Sequence, residues 1–298
     1  MRRVILTGGT GLIGSALFPA LRAAGYTPLV LSRRPGKEPD RLKWDGQHIP
    51  STLSGEGVVA AINLVGASIA DRRWTESYKR ELWESRVIPT QNLSAWLSRY
   101  APTARLISAS AIGYYGATLS SDILTEESPP GTDFLAGLAQ AWEEAAQEAP
   151  TPPTIFRIGI VLSPAGGAWK QLRRAFIDGV GAYFSPGQQG FSWIHITDVV
   201  RAFLWALEDE SRRGVYNLTA PYPLSAREFA QAVLQRRGGG LLLPIPSGLI
   251  RFFMGEMAEA LVRGAFVRPQ RLLKEGFTFQ YPTIEEALTQ LLPSSHDS

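Results

Sequence analysis

The chain has 298 residues, of which 45% are hydrophobic, and its formal net charge is +3. This length suits one large domain or two smaller ones, and the apolar fraction is ordinary for a globular core. Lysines and arginines are spread along the chain without a basic block, so nucleic acid is not predicted as a partner. Cysteine is absent and there are three histidines, which excludes disulfides and thiolate nucleophiles and leaves no zinc ligand set, so no metal site is predicted.

No apolar stretch approaches the roughly 20 residues that a membrane-spanning helix needs. The N-terminus enters an apolar segment without passing through a signal-like sequence. We therefore expect a cytoplasmic protein with no membrane partner, and the sequence leaves its oligomeric state open.

The N-terminal segment predicts a strand that turns directly into a helix. Val4-Ile5-Leu6 is short and continuously apolar, and apolar residues recur at helical spacing from position 12 to position 21. Between them, Gly8 permits a tight turn, Gly11 allows the backbone to approach a pyrophosphate, and Gly14 lets helix and strand pack closely. We predict a dinucleotide-binding turn with eight contact residues: Thr7, Gly8, Gly9, Thr10, Gly11, Leu12, Ile13 and Gly14.

Short apolar runs alternate with amphipathic segments along the first 160 residues, and this alternation predicts a doubly wound α/β fold with a parallel sheet. Further strands are predicted at 27–32, 58–65, 105–108 and 154–162, and helices at 76–99, 135–147, 199–207, 226–235 and 250–262. Pro89 lies inside the first of these helices and should either kink it or lie where a neighbour compensates for the missing N–H. We expect a Rossmann domain over 1–165 with a returning segment at about 193–222. A smaller, mainly helical substrate lobe would comprise 166–192 and 223–298.

The end of the second predicted strand indicates which nicotinamide cofactor is preferred, because the adenosine ribose lies there. It reads Ser32-Arg33-Arg34, with two guanidinium groups and no acid. An acidic side chain would bind the ribose 2′-OH of NAD, whereas arginine favours the 2′-phosphate of NADP. These residues therefore predict NADP(H), the alternative being an ordinary solvated loop. The end of the 58–65 strand, Leu64-Val65-Gly66, is predicted to contact the same cofactor.

Six segments carry a resemblance to a known family and together span nearly the whole chain. They are TGGTGLIG, RRWTESYKRELWESRV, SASAIGYYG, GGAW with GQQGFSWIHITDVV, GEMAEAL, and RLLKEGFTFQYPTIEEAL. The chain resembles the epimerase-like atypical branch of the extended short-chain dehydrogenase/reductases. The resemblance implies an extended Rossmann fold with NADP and a small C-terminal domain of unassigned function. It also implies an oxidoreductase or epimerase-like enzyme that acts on an unidentified small molecule, of which a nucleotide sugar is one option.

Catalysis in this superfamily usually depends on a tyrosine and on a lysine four residues later that lowers the tyrosine pKa. No tyrosine of this chain has a lysine at that spacing, and there is no lysine between Lys79 and Lys170. Where the pair is expected, Phe134 and Leu138 stand in place of Tyr and Lys. Neither side chain transfers a proton. The chain therefore either uses another acid or base, or binds NADP(H) without turnover as a sensor or regulatory protein.

The segment 108–116 holds the candidates for such a substitute, because strand ends in a doubly wound sheet face the ligand crevice. Ser110 resembles the substrate-orienting serine of the family, and Tyr114 or Tyr115 would supply a phenol. Ser108 and Ala109 are predicted to contact the cofactor or the substrate. The alternative is that the tyrosines only pack as a wall and that the serines bond to loop backbone.

The run Arg86-Val87-Ile88-Pro89-Thr90-Gln91-Asn92-Leu93 matches the Asn-Val-x-Gly-Thr-x-Asn-Leu run of related extended members, with arginine in place of the first asparagine. Since that asparagine organises polar groups near the active site, the match implies that Arg86 reaches the cofactor, with Glu81 as its partner. The alternative is a solvated helix face with ordinary ion pairs, each worth under about 1 kcal/mol.

Arg157 and His195 leave two interpretations open. Arg157, on the 154–162 strand, is predicted to meet the cofactor's phosphate or ribose, with a buried ion pair as the alternative. His195 is expected to bond to a neighbouring loop rather than to act as a general base. Asp198 or Thr197 is expected to cap the helix that follows.

Overall fold

The computed structural model describes residues 2–34, 38, 40–248, 252, 255–256, 258–259 and 263–292. Its strands are β1 (Arg3–Thr7), β2 (Thr27–Ser32), β3 (Arg41–Lys43), β4 (Val58–Asn63), β5 (Arg105–Ala111), β6 (Ile123–Leu124), β7 (Thr154–Ile158), β8 (Ile160–Ser163), β9 (Phe176–Ile177), β10 (Val180–Phe184), β11 (Gly190–Phe191), β12 (Trp193–His195), β13 (Gly214–Leu218), β14 (Leu224–Ser225), β15 (Leu241–Ile245) and β16 (Phe266–Val267). Its helices are α1 (Leu12–Ala23), α2 (Glu76–Glu84), α3 (Val87–Tyr100), α4 (Phe134–Gln147), α5 (Gly167–Leu172), α6 (Ile196–Glu208), α7 (Ala226–Arg236), α8 (Gln270–Lys274) and α9 (Ile284–Leu291). The helix predicted over 250–262 lies mostly outside the described residues.

Seven strands form one sheet in the order β13-β7-β5-β4-β1-β2-β3, and neighbouring strands from β5 to β3 run parallel. This confirms the predicted doubly wound α/β fold. The chain first runs outward from β1 through β2 to β3, and then returns to the other side of β1 with β4. The strand order therefore reverses between β1 and β4, which is where such sheets bind ligands.

By its internal contacts the chain divides into two compact units. The first unit comprises Met1–Ala111, Gly137–Arg157 and Val200–Tyr216, and the second comprises Ile112–Ala136, Ile158–Val199 and Asn217–Ser298. These bounds differ from the predicted 1–165 and 193–222, because the segments 112–136 and 158–165 make their contacts with the second unit. No helix in the described part of the chain combines the length and hydropathy that a membrane crossing requires.

Each unit has its own hydrophobic core. In the first unit, strand residues such as Ile5 and Ile155 pack with Leu93 and Leu97 of α3. In the second unit, the core includes two fully buried tryptophans together with residues of α7 and α9. Besides its helices, the described part of the second unit contains four short sheets, and most of their strands were not predicted from the sequence.

Two predicted elements are each divided in the structure. The helix predicted over 76–99 ends at Glu84, and α3 begins at Val87, so Pro89 lies in a first turn, where its missing N–H costs no helical bond. The strand predicted over 154–162 is interrupted at Gly159, whose N–H donates to the Leu218 carbonyl. A Cβ at Gly159 would lie 2.6 Å from the Ser192 carbonyl oxygen, so the chain passes too close to a neighbouring backbone for a side chain there.

Candidate functional site

The glycine turn after β1 leaves no room for a side chain at Gly8 or at Gly14. Gly8 has a φ of +68°, and a Cβ there would lie 2.5 Å from the Leu64 carbonyl oxygen. A Cβ at Gly14 would lie 2.4 Å from the Gly8 carbonyl oxygen. Gly11 is the N-cap of α1 and no side chain caps that helix, so N–H groups of its first turn remain for an anion. The turn thus has the bare backbone that a pyrophosphate requires.

Buried polar side chains fix the ends of β1 and β4 beside this turn. The Thr7 hydroxyl donates to Asn63 Oδ1 over 2.8 Å and accepts from the Leu64 N–H over 3.2 Å. Asn63 Nδ2 donates in turn to the Thr90 and Ser108 hydroxyl oxygens, at 2.8 and 3.1 Å. Ser108 is fully buried within this network. The network holds the Leu64-Val65-Gly66 segment against the glycine turn.

Arg86 is a buried cation at the end of β4. Its Nη1 donates to the Leu82 carbonyl over 3.0 Å and its Nη2 to the Ala67 carbonyl over 2.8 Å. Its Cζ lies 5.3 Å from the centre of the Trp142 ring. It also lies close to Gly66, because a Cβ added to that glycine would be 3.0 Å from the Arg86 Cζ. Burial lowers the pKa of this guanidinium to about 10, which still leaves it charged at neutral pH. Desolvation of a charge is costly, so a ligand with acceptor groups would be stabilised here.

The expected pairing of Arg86 with Glu81 is wrong. Glu81 Oε2 lies 3.3 Å from Arg72 Nη1 on the exposed face of α2. The helix ends before Arg86, so a spacing that assumes one continuous helix does not apply. Among the ion pairs of the described residues, none contains Arg86.

Ser110 and Arg157 meet at one buried carboxylate, that of Glu143 on α4. Arg157 Nε and Nη2 each lie 2.8 Å from an oxygen of Glu143, a two-bond arrangement typical of buried arginine pairs. The Ser110 hydroxyl donates to Glu143 Oε1 over 2.7 Å, and all three residues are less than 10% exposed. The buried ion pair left open for Arg157 is therefore present. Its contact with the cofactor, like catalysis by Ser110, stays a prediction.

The two arginines after β2 lie at the surface. Arg33 and Arg34 are exposed, and the Arg34 N–H donates to the Ser32 hydroxyl over 3.2 Å. Ala109, which lies between the two buried serines of β5, is itself buried. The cofactor contacts predicted for these residues stay predictions.

The two tyrosines belong to the second unit and have different surroundings. Tyr115 is buried, and its hydroxyl lies 2.7 Å from Asn217 Oδ1 and 2.8 Å from the Thr125 carbonyl oxygen. Because both neighbours are acceptors, the single O–H of Tyr115 is shared between them as a hydrogen-bond donor. Tyr114 is half-buried, and its ring meets that of Tyr115 edge-on at 5.3 Å. Tyr114 is therefore the more exposed residue of the pair.

His195 and Asp198 anchor the C-terminal segment of the second unit. Asp198 accepts hydrogen bonds from the N–H groups of Gln280 and Tyr281, at 2.7 and 2.9 Å. His195 is fully buried, with Nε2 3.0 Å from Gln290 Oε1 and its ring 4.1 Å from that of Tyr281. The histidine thus bonds to a neighbouring helix. The predicted cap is wrong, because α6 begins at Ile196 and Thr197 and Asp198 therefore lie inside the helix. Asp198 instead holds a distant backbone segment.

Burial lowers the pKa of His195 below 6.5, its ordinary value, and this predicts a pH dependence of stability. Above pH 6.5 the imidazole is neutral in the folded and unfolded states, and its contribution is fully present. Below that pH the unfolded chain takes up the proton first, so the free energy of unfolding falls until the folded-state pKa is reached. Urea unfolding at a series of pH values should show this fall, and His195→Gln should reduce it. His48→Gln is the matched control, since His48 is exposed. An equal pH slope in all three proteins would contradict the prediction.

A family model matches most of this structure. The model of the NAD dependent epimerase/dehydratase family matches residues 4–219, which include the glycine turn and both buried networks of the first unit. The chain belongs to this family. A second model, for a domain of unknown function, matches residues 245–291. The predicted resemblance is confirmed. The family is NAD dependent, so the prediction that the cofactor is a nicotinamide dinucleotide is confirmed for the family.

Relatives and solved structures agree with this membership. An epimerase family protein of Mycobacterium bovis is 41% identical over 292 residues, covering 96% of each chain. The crystal structure of the human epimerase family protein SDR39U1 with NADPH has a TM-score of 0.88 and 33% identity, and covers 97% of this chain and 98% of that one. A nucleoside-diphosphate sugar epimerase of Corynebacterium glutamicum has a TM-score of 0.81 and 30% identity, with coverage of 97% and 58%.

The two positions at which the sequence predicts the missing Tyr/Lys pair lie on α4. It begins at Phe134, and Leu138 follows one turn later, buried in the core. Glu143 lies on the same helix and was not predicted as a site residue. Its carboxylate accepts hydrogen bonds from Ser110 and Arg157. The only sequence signal for it is an acidic residue in an alanine-rich amphipathic segment, which does not reveal its partner.

Proposed function

We propose that this epimerase family chain binds NADP(H) in its first unit and uses it as an oxidoreductase or epimerase-like enzyme on a small molecule. The observation that carries the proposal is the bare backbone of the glycine turn, where a Cβ at Gly8 or Gly14 would strike another backbone. The turn lies at the switch point of a doubly wound sheet, the usual place for a dinucleotide. The NADPH in the human structure supports the choice of cofactor.

The residues present fit such a cofactor. The turn and the first N–H groups of α1 would hold the pyrophosphate, and Arg33 and Arg34 would attract the 2′-phosphate. Arg86 would offer a fixed positive charge beside Gly66. When bound, the cofactor supplies hydride transfer at its nicotinamide ring.

Proton transfer has to come from this chain by an unusual route, because Phe134 and Leu138 carry no titratable group. Ser110, Tyr114 and Tyr115 remain the candidates that the sequence offers for this step. For the substrate, a nucleotide sugar is the first class to test, because the Corynebacterium relative is described as a nucleoside-diphosphate sugar epimerase. The cytoplasmic location expected from the sequence is part of this proposal.

The second candidate function is an NADP(H) sensor or regulatory protein without turnover. One observation favours it: each usual position for proton transfer is apolar, and Ser110 and Tyr115 are held by other protein groups. A transfer of label separates the two functions. The chain is mixed with NADPH deuterated at either face of the nicotinamide and with a set of nucleotide sugars and a small-molecule extract. Deuterium in a metabolite establishes an oxidoreductase. An epimerase returns its hydride to the substrate, so the same mixtures are also run with NADP⁺ and searched for an epimer of the added sugar. Bound cofactor with neither label transfer nor an epimer supports the sensor.

Arg86 tests the binding part of the proposal. We expect Arg86→Met to raise the Kd for NADPH by about tenfold or more, the loss typical of hydrogen bonds to a charged group. The free energy of unfolding should change by less than about 1 kcal/mol, since the variant also removes a buried charge that no carboxylate neutralises. Arg99→Met is the control, because Arg99 is exposed near the end of α3. Calorimetry and urea unfolding measure both quantities, and an unchanged Kd would count against the role of Arg86.

A further inference from the structure

A cavity of about 280 Å³ opens in the first unit beside the glycine turn. It is lined by Gly9, Thr10, Ser15, Phe18 and Arg41. Its volume is several times the roughly 30 Å³ of one water molecule, so it has room for a small polar group of a ligand. None of the predicted cofactor contacts from the ends of β2, β4 or β5 lines it.

Arg41 reaches this cavity from the edge of the sheet. It begins β3, where it lies opposite Val30 of β2, and Val30 lies opposite Leu6 of β1. A Cβ at Gly9 would lie 2.7 Å from Val30 Cγ1, so the turn after β1 rests directly on β2. The cavity therefore lies beside the turn on the side of β2 and β3.

One N–H group of the Arg41 guanidinium lacks a hydrogen-bond acceptor in the described part of the chain. Its Nε is buried and has no hydrogen-bond acceptor among the described residues. Glu38 Oε2 lies 3.9 Å away, which is too far for a hydrogen bond. The neighbouring Asp40 is already paired with Arg22, whose guanidinium lies over Phe18. The cavity thus combines a guanidinium that has one long ion pair and one N–H without an acceptor with the hydroxyls of Thr10 and Ser15.

We propose that Arg41 binds the 2′-phosphate of NADP(H) in this cavity, with Thr10 and Ser15 as further donors. The inference rests on the proposed function, in which the first unit binds the dinucleotide. The pyrophosphate is expected at the N-terminus of α1, and the adenosine ribose at the end of β2. A cavity between the turn and β3 is on the ribose side. A guanidinium with hydroxyl donors is the chemistry that a phosphate selects.

This assigns cofactor preference mainly to Arg41 instead of to the two arginines after β2. Arg33 and Arg34 are exposed, so water screens their charges, whereas the Arg41 side chain is 32% exposed. Removing Arg41 should therefore weaken NADPH binding more than removing either of the others. The binding of NADH, which has no 2′-phosphate, should be nearly unaffected by all three changes.

Calorimetric titration of the full chain with NADPH and with NADH tests the inference. We expect Arg41→Ala to raise the Kd for NADPH by about tenfold or more and the Kd for NADH by less than about threefold. Arg33→Ala and Arg34→Ala should each change the Kd for NADPH by less than Arg41→Ala does. Arg2→Ala is the matched control, because Arg2 also lies over an aromatic ring, that of Tyr26, and does not line the cavity. It should leave both values unchanged.

The outcomes separate the inference from the proposed function. If the unaltered chain binds neither cofactor, the proposed function fails and the inference fails with it. If the chain binds NADPH but Arg41→Ala keeps the ratio of the two Kd values, only the inference is overturned. An equal loss for both cofactors would make Arg41 a structural residue and would also overturn it. Competition by 2′,5′-ADP and 5′-AMP gives a second readout, in which only 2′,5′-ADP should bind more weakly to Arg41→Ala.

Discussion

Gly14→Ala should weaken NADPH binding by about a hundredfold or more, because it displaces the backbone that faces the pyrophosphate. The new Cβ would lie 2.4 Å from the Gly8 carbonyl oxygen and 2.5 Å from Gly9 Cα. These are backbone atoms, so the turn itself has to move. The strain should also lower the free energy of unfolding by about 1–3 kcal/mol. Calorimetry measures the first effect and urea unfolding the second.

Gly137→Ala is the matched control for this substitution. Gly137 also lies inside a helix, α4, but nothing lies within 4 Å of a Cβ built there. Alanine at this position should keep NADPH binding and raise the free energy of unfolding by about 0.5–1 kcal/mol, since glycine is a poor helix former. If Gly14→Ala bound NADPH as well as Gly137→Ala does, the glycine turn would not be the pyrophosphate site.

Glu143→Leu should lower the free energy of unfolding by about 3–5 kcal/mol, the largest stability effect that we expect. The substitution removes the carboxylate that accepts both hydrogen bonds of Arg157, and it leaves a guanidinium that is 4% exposed without its counter-charge. It also takes away the acceptor of the Ser110 hydroxyl. Urea unfolding followed by circular dichroism measures the loss.

Two further proteins test this explanation. Glu143→Leu combined with Arg157→Met removes both charges and should recover most of the lost stability, because an apolar pair of similar volume needs no desolvation. Glu144→Leu removes the neighbouring, exposed carboxylate and should change the free energy of unfolding by less than about 0.5 kcal/mol. Equal losses in Glu143→Leu and Glu144→Leu would show that the buried ion pair contributes nothing.

The elements fixed by local patterns could be predicted from the sequence. β2 spans the predicted 27–32, and the turn between β1 and α1 has the predicted order of strand, turn and helix. Such features depend on residues that are neighbours in the chain, and glycine spacing reports directly on the backbone. The position of Arg33 and Arg34 could be predicted in the same way, because the two residues directly follow the last residue of β2.

Features that depend on distant residues could not be predicted. The carboxylate that receives Arg157 comes from another element, α4, and nothing near Arg157 in the sequence identifies it. The pairing of Arg86 failed because a spacing rule was applied across a helix end that the sequence does not mark. The role that we propose for Arg41 could not be predicted, because it depends on the position of β3 at the sheet edge, which only the strand order reveals.

The first unit's binding of NADP(H) is tested most directly by one calorimetric titration of the full chain with NADPH, repeated with NADH. We predict close to one NADPH site per chain and a Kd at least about tenfold lower for NADPH than for NADH, as arginine recognition of a 2′-phosphate requires. Absence of NADPH binding, or tighter binding of NADH, would contradict this account.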